Sequence, residues 1–109
     1  MNRDINKIAD LHPELHYKII SKAGSIMSDG LRLPHLPDGM GSFNVDNNIV
    51  LVRNHELDLS NGMKKSAFKN PETQMKGLGR KHYDKNAIGG TTTVVLDKSS
   101  KNVIREYLS

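Results

Sequence analysis

Ile49-Val50-Leu51-Val52 is an unbroken apolar run that leads directly into Arg53-Asn54-His55-Glu56. The Asx-rich stretch Asp46-Asn47-Asn48 comes just before it, and Ser42 to Val45 before that. Together they predict a β-hairpin whose second strand is Ile49 to Arg53. Four consecutive apolar residues predict a strand buried on both faces rather than one with a wet side. The end of that strand gathers a cation, an amide, an imidazole and a carboxylate. If the strand geometry continues, alternate side chains face opposite ways. Arg53 and His55 then share one face, and Asn54 and Glu56 the other.

The rest of the chain reads as β-structure and loop. Thr91 to Leu96 is the clearest strand, Asp97 to Asn102 a turn, and Val103 to Leu108 the returning strand. Tyr17 to Lys22 is β-branched and aromatic, and Ala23-Gly24 stops it, so it too is predicted as a strand. Residues 27–41 read as loop, with the Asp29-Gly30 and Asp38-Gly39 pairs and the prolines Pro34 and Pro37. Residues 1–16 form a polar N-terminal arm. Ile5, Ile8, Leu11 and Leu15 have the spacing of a short amphipathic helix, which Pro13 interrupts, so the arm is expected to be a weak helix or irregular. Residues 58–88 form a long basic loop of a length uncommon in a compact domain. The expected architecture is an antiparallel all-β meander of about five strands within residues 17–109.

Composition narrows the function classes. A chain of 109 residues holds one small domain. It is 36% hydrophobic and 5% aromatic, with no Trp, which argues against an independent, stable core. The absence of Cys excludes disulfides, thiolate catalysis and Cys-based zinc sites within the chain. A net charge of +4 permits phosphate-bearing partners without requiring them. Much of the excess sits in one loop, at Lys64, Lys65, Lys69, Lys76, Arg80, Lys81 and Lys85. Met1 to Asp10 contains no apolar core of a signal peptide, and no run approaches the ~18 apolar residues of a membrane span. The aromatic residues do not interleave with the basic ones, so no specific nucleic-acid binding is expected.

Several residues carry usable chemistry. Asn54 and Glu56 are hard oxygen donors of the kind Ca²⁺ prefers, and Asp29 and Asp38 could join them. His55 suits a transition metal, and Arg53 suits bidentate pairing with a phosphate. Each also has a plainer reading: Asp-Gly pairs shape turns, and a single His beside a strand end is commonly a hydrogen-bonded structural group. Gly89-Gly90-Thr91 lacks a phosphate-loop pattern and reads as a turn delivering a buried strand.

The order of the motifs is more telling than any one of them. Met27-Ser28-Asp29-Gly30 is followed by Asp38-Gly39-Met40-Gly41-Ser42-Phe43, then by Leu51-Val52-Arg53-Asn54-His55-Glu56-Leu57. Tyr83 to Ile88 with Gly89-Gly90-Thr91-Thr92-Thr93-Val94 comes next, and Val103 to Ser109 closes the series. Over residues 17–109 this layout resembles the N-terminal part of the bacterial PhoX-type alkaline phosphatase family, with 58–82 its weakest part.

That resemblance implies a β-propeller several times longer than this chain. Residues 17–109 would form its first one to two blades, at ~40–50 residues per blade. It implies a phosphomonoester substrate, a cluster of iron and calcium ions in the central channel, and export to the periplasm or beyond. On this reading Asn54 and Glu56 are metal ligands, Arg53 contacts the substrate phosphate, and His55 and Asp38 support them from behind. The family's Asn-Cys-Ala-Gly-type segment would follow Ser109, with a Glu-Glu segment later still. The chain is therefore expected to be an N-terminal fragment, inactive alone, with no complete catalytic set. The alternative is a small non-catalytic β-rich module that binds a polyanion through its basic loop.

Overall fold

The computed structural model describes residues 4–5, 8–57, 65–68 and 90–109. Four strands make one open antiparallel sheet in the order β1-β2-β3-β4. They are β1 (Pro37–Val45), β2 (Asn48–His55), β3 (Gly90–Asp97) and β4 (Val103–Leu108). The described residues contain no helix. The all-β antiparallel expectation therefore holds as one meandering sheet.

The predicted hairpin is β1–β2, with Val45 opposite Asn48 across the two-residue turn Asp46-Asn47. Asp46 takes φ 53°, the left-handed region that Asp and Asn enter at least cost. The Asn47 carbonyl accepts from Lys98 N–H at 2.9 Å, tying this turn to the β3–β4 turn. The latter is held by Asp97, whose carboxylate accepts from Ser100 N–H at 2.7 Å and Ser100 Oγ–H at 2.8 Å. Those bonds hold the Asp97 carboxyl below its ordinary value.

Three expectations need correction. Tyr17 to Lys22 is not a strand. Its β-branched residues meet the sheet by packing: Ile20 lies on the cluster of Leu51, Val94 and Leu96, while Ile19 stays exposed. Strand propensity describes fitness for a half-buried surface, and lying across a sheet face satisfies it as well as pairing does. Four strands rather than five are thus found among the described residues. Residues 37–41 are the start of β1 rather than loop, and Pro37 is tolerated there because β1 is an edge strand. Finally, β2 continues past Arg53 to His55, so Asn54 and His55 are strand residues. The arm, expected as a weak helix or an irregular segment, is irregular in the described part of residues 1–16. The loop 58–88 lies outside the described residues except for 65–68.

The N-terminal segment covers one face and one edge of the sheet. Ser28 clasps the outer edge of β4: Ser28 N–H donates to the Glu106 carbonyl at 2.8 Å, and Glu106 N–H donates to Ser28 Oγ at 2.9 Å. The Asp29 carboxylate accepts from Leu108 N–H at 2.7 Å. The Asp29-Gly30 turn delivers these groups, with Gly30 at φ +82° as the turn requires. Residues 65–68 dock beneath residues 32–35: Arg32 N–H donates to the Ala67 carbonyl at 3.1 Å and His35 N–H to the Lys65 carbonyl at 2.9 Å. Ser66, Ala67 and Phe68 are buried there.

Candidate functional site

The alternation expected at the end of β2 places Arg53 and His55 on the covered face. Arg53 is paired with Thr92 of β3, and Val94 of β3 with Glu106 of β4. These register positions bring four polar side chains together over β3. Arg53 Nη2 donates to Glu106 Oε1 at 2.6 Å, and Arg53 Nε donates to Thr92 Oγ1 at 3.2 Å. His55 Nε2 lies 2.8 Å from the same Thr92 Oγ1, and His55 Nδ1 lies 3.0 Å from the His35 carbonyl. Glu106 Oε1 also accepts from Ser21 Oγ. Thr92 is fully buried and His55 is 4% exposed, so the Thr92–His55 end of the network is shielded from solvent. Burial pushes the His55 pKa below its ordinary 6.5, and the neighbouring Arg53 charge adds to this. The His35 carbonyl and Glu106 act in the opposite sense.

The opposite face holds a different set. Pro37 pairs with His55 and Met40 with Arg53, with a register irregularity between them. Asp38 and Gly39 of β1 therefore both stand opposite the single residue Asn54, the pattern of a β-bulge. Gly39 is needed for contact: a Cβ there would lie 3.1 Å from Asn54 Oδ1. Asn54 in turn pairs with Thr91. Thr91 Oγ1 donates to the Ser109 carbonyl at 2.7 Å, and Thr93 Oγ1 donates to Ser109 Oγ at 2.9 Å. A polar row thus crosses this end of the sheet, from Asp38 through Asn54 and Thr91 to Ser109.

Glu56 follows the last residue of β2 and is exposed. Its N–H donates to the Leu36 carbonyl at 3.0 Å. Leu36 sits at φ 53°, unusual for a residue with a side chain and doubly so before proline. The loop before β1 thus passes the end of β2, which leaves Asp38, Asn54 and Glu56 at the same corner of the sheet.

The sequence model of the family described as "Alkaline phosphatase PhoX" matches residues 1–107. The chain belongs to the PhoX alkaline phosphatase family. No curated protein and no solved structure gives a significant match.

Within this PhoX chain the predicted residues separate into two sets. Asp38 stands opposite Asn54, with the exposed Glu56 two residues further along, while Arg53 and His55 turn into the covered face. The donor set at the corner is one amide and two carboxylates, all hard oxygen ligands. Ca²⁺ takes six to eight oxygens, and this set falls short of that number. Among the described residues no three His, Asp or Glu side chains are grouped closely enough to hold a metal ion. The described part of the chain therefore does not by itself fit a complete metal site. Among the described residues there is no helix long and apolar enough to cross a membrane.

Sequence reasoning passed over Thr92, Glu106, Ser21 and Ser28. For Glu106 a signal existed: alternation along Val103 to Leu108 sets it on the same face as Leu108, where a carboxylate needs a partner. Thr92 lies hidden in a run of three threonines. The run divides by period two, with Thr91 and Thr93 on Ser109 and Thr92 in the buried network.

Proposed function

We propose that this PhoX chain contributes the first sheet and part of the ligand set of a metal-dependent phosphomonoesterase, in a site completed by residues outside those described. The observation that carries the reading is the family match across residues 1–107. It gains support from the sheet, since four antiparallel strands in consecutive order are the make-up of one propeller blade. Further support comes from the bulge, which sets Asp38 of β1 opposite Asn54 of β2, with Glu56 just past the end of that strand. A β-bulge is a common device for aiming side chains beside an active site.

In this reading Asn54 and Glu56 are ligands to calcium or iron, and Asp38 supports them across the bulge. Phosphate esters would be the substrates, and metals held there would supply neutralisation of the phosphoryl charge. Arg53 would be the phosphate contact. Its Nε and one Nη are engaged by Thr92 and Glu106, so a phosphate contact falls to the other Nη. His55 backs the corner from the covered face. By the family resemblance the assembled enzyme would work in the periplasm or outside the cell.

Hydrolysis of p-nitrophenyl phosphate in the presence of Ca²⁺ and iron tests the proposal. The 109-residue chain alone is expected to give no turnover. The same chain extended by further family sequence is expected to give metal-dependent turnover, abolished by Asn54→Ala and Glu56→Gln. Turnover by the chain alone would overturn the incompleteness. An extended, active form indifferent to both substitutions would overturn the ligand assignment.

A further inference from the structure

We propose that Thr92 is the positioning residue of the Asp38–Asn54–Glu56 corner: its hydroxyl, held by Arg53, donates to His55 Nε2 and fixes the ring that pins His35 at the end of β2, next to the Glu56–Leu36 bond. Its bearing on function rests on reading that corner as part of the phosphatase site. The geometry stands without it.

The direction of each proton follows from donor and acceptor chemistry. A backbone carbonyl only accepts, so His55 Nδ1 carries a proton toward His35 O at 3.0 Å. A guanidinium only donates, so Thr92 Oγ1 accepts from Arg53 Nε at 3.2 Å. Thr92 is fully buried, and its own proton requires an acceptor. His55 Nε2, at 2.8 Å, is the acceptor its side chain meets. The chain therefore runs in one direction: Arg53 Nε–H to Thr92 Oγ1–H to His55 Nε2, then His55 Nδ1–H to the His35 carbonyl. Each link leaves the next with one role, so the ring has one tautomer and one orientation.

The chain ends where the corner begins. His55 Nδ1–H holds His35, and the next bond, Glu56 N–H to the Leu36 carbonyl at 3.0 Å, holds Leu36. Leu36 at φ 53° is a strained link that persists only if its neighbours fix it. From Leu36 the backbone passes through Pro37 into the bulge with Asp38 and Gly39. Thr92, on the central strand β3, thereby sets the path of a loop on β1 that it does not touch. The oxygen donors of Asp38, Asn54 and Glu56 keep their spacing because residues 35 and 36 cannot drift.

The test uses the chain labelled with ¹⁵N-histidine, with His55→Gln to assign the ring signals, and hydrogen exchange at the Glu56 amide. His55 is expected to show a protonated Nδ1 and an unprotonated Nε2 coupled to the Thr92 hydroxyl proton. Thr92→Val is expected to shift the Nε2 signal and to lower Glu56 amide protection about tenfold more than that of the β3 amides. Thr92→Ser keeps the hydroxyl and is expected to restore both. A His55 with its proton on Nε2, or on both nitrogens at neutral pH, overturns the proposal whatever the variants do. So does a folded Thr92→Val chain whose Glu56 protection falls only in step with β3, as a general loss of stability would produce. These readings do not depend on metal or substrate, so a failed phosphatase assay leaves them standing and is a separate result.

Discussion

Arg53 Nη2 lies 2.6 Å from Glu106 Oε1, so β2 and β4 are joined by an ion pair that passes over β3. The two side chains are 12% and 11% exposed. At that depth, removing one partner leaves a charge without compensation, which costs about 3 kcal/mol. A small domain's total stability is only about 5–15 kcal/mol. Arg53→Ala or Glu106→Ala is therefore expected to lower the melting temperature sharply. The double variant Arg53→Met/Glu106→Leu is expected to cost well under the sum of the two, because it buries no lone charge. Additive losses in thermal melts would mean that the pair does not act as a unit.

Acid is expected to weaken the fold through His55. Burial, then the charge of Arg53, holds its pKa below the ordinary 6.5 in the folded chain. On acidification the unfolded chain takes up this proton first. The contribution to stability is therefore full above about pH 6.5 and is lost as pH falls below it. The slope from this one group is at most about 1.4 kcal/mol per pH unit. Melting curves between about pH 7.5 and 5 are expected to show it for the native chain, and His55→Gln is expected to flatten it.

Gly39 has a contact role that a small substitution would reveal. A methyl group at this position would lie 3.1 Å from Asn54 Oδ1, closer than side chains comfortably pack. Its backbone does not require positive φ, so Gly39→Ala is expected to fold and to displace the Asn54 amide. Amide chemical shifts should change at Asn54 and Thr91 and stay constant at the Asp46-Asn47 turn. A shift pattern spread evenly over the sheet would contradict this local account.

Leu36 offers a stabilising change. A left-handed backbone costs a residue with a Cβ about 1–2 kcal/mol, and glycine escapes that cost at some expense in chain entropy. The Leu36 side chain is 41% exposed, so little packing is lost with it. Leu36→Gly is expected to raise stability by about 0.5 kcal/mol in denaturant titrations, and Leu36→Val to lower it by more than 1 kcal/mol. Equal effects of the two would show that φ at this position is not what matters.

Local chemistry alone was enough to set much of the sheet. The Asx turn at Asp46-Asn47, the apolar run Ile49 to Val52 and the β-branched run Thr91 to Leu96 each carry their own strand or turn signal. Val103–Leu108 was readable to the residue, because the Asp97 to Asn102 turn bounds it. Period two also separated Arg53 and His55 from Asn54, a consequence of strand geometry that needs no partner. Tertiary structure decided the rest. Tyr17 to Lys22 has the composition of a strand, but both its pairing and its packing depend on what lies beside it, and the face of the sheet was the neighbour it found. The Asp38-Gly39 pair, a turn signal by composition, became a bulge because β1 had to gain a residue opposite Asn54. Arg53 was legible as a cation at a strand end. That it faces Glu106, separated from it by more than fifty residues of chain, follows from two strand registers that no local pattern encodes.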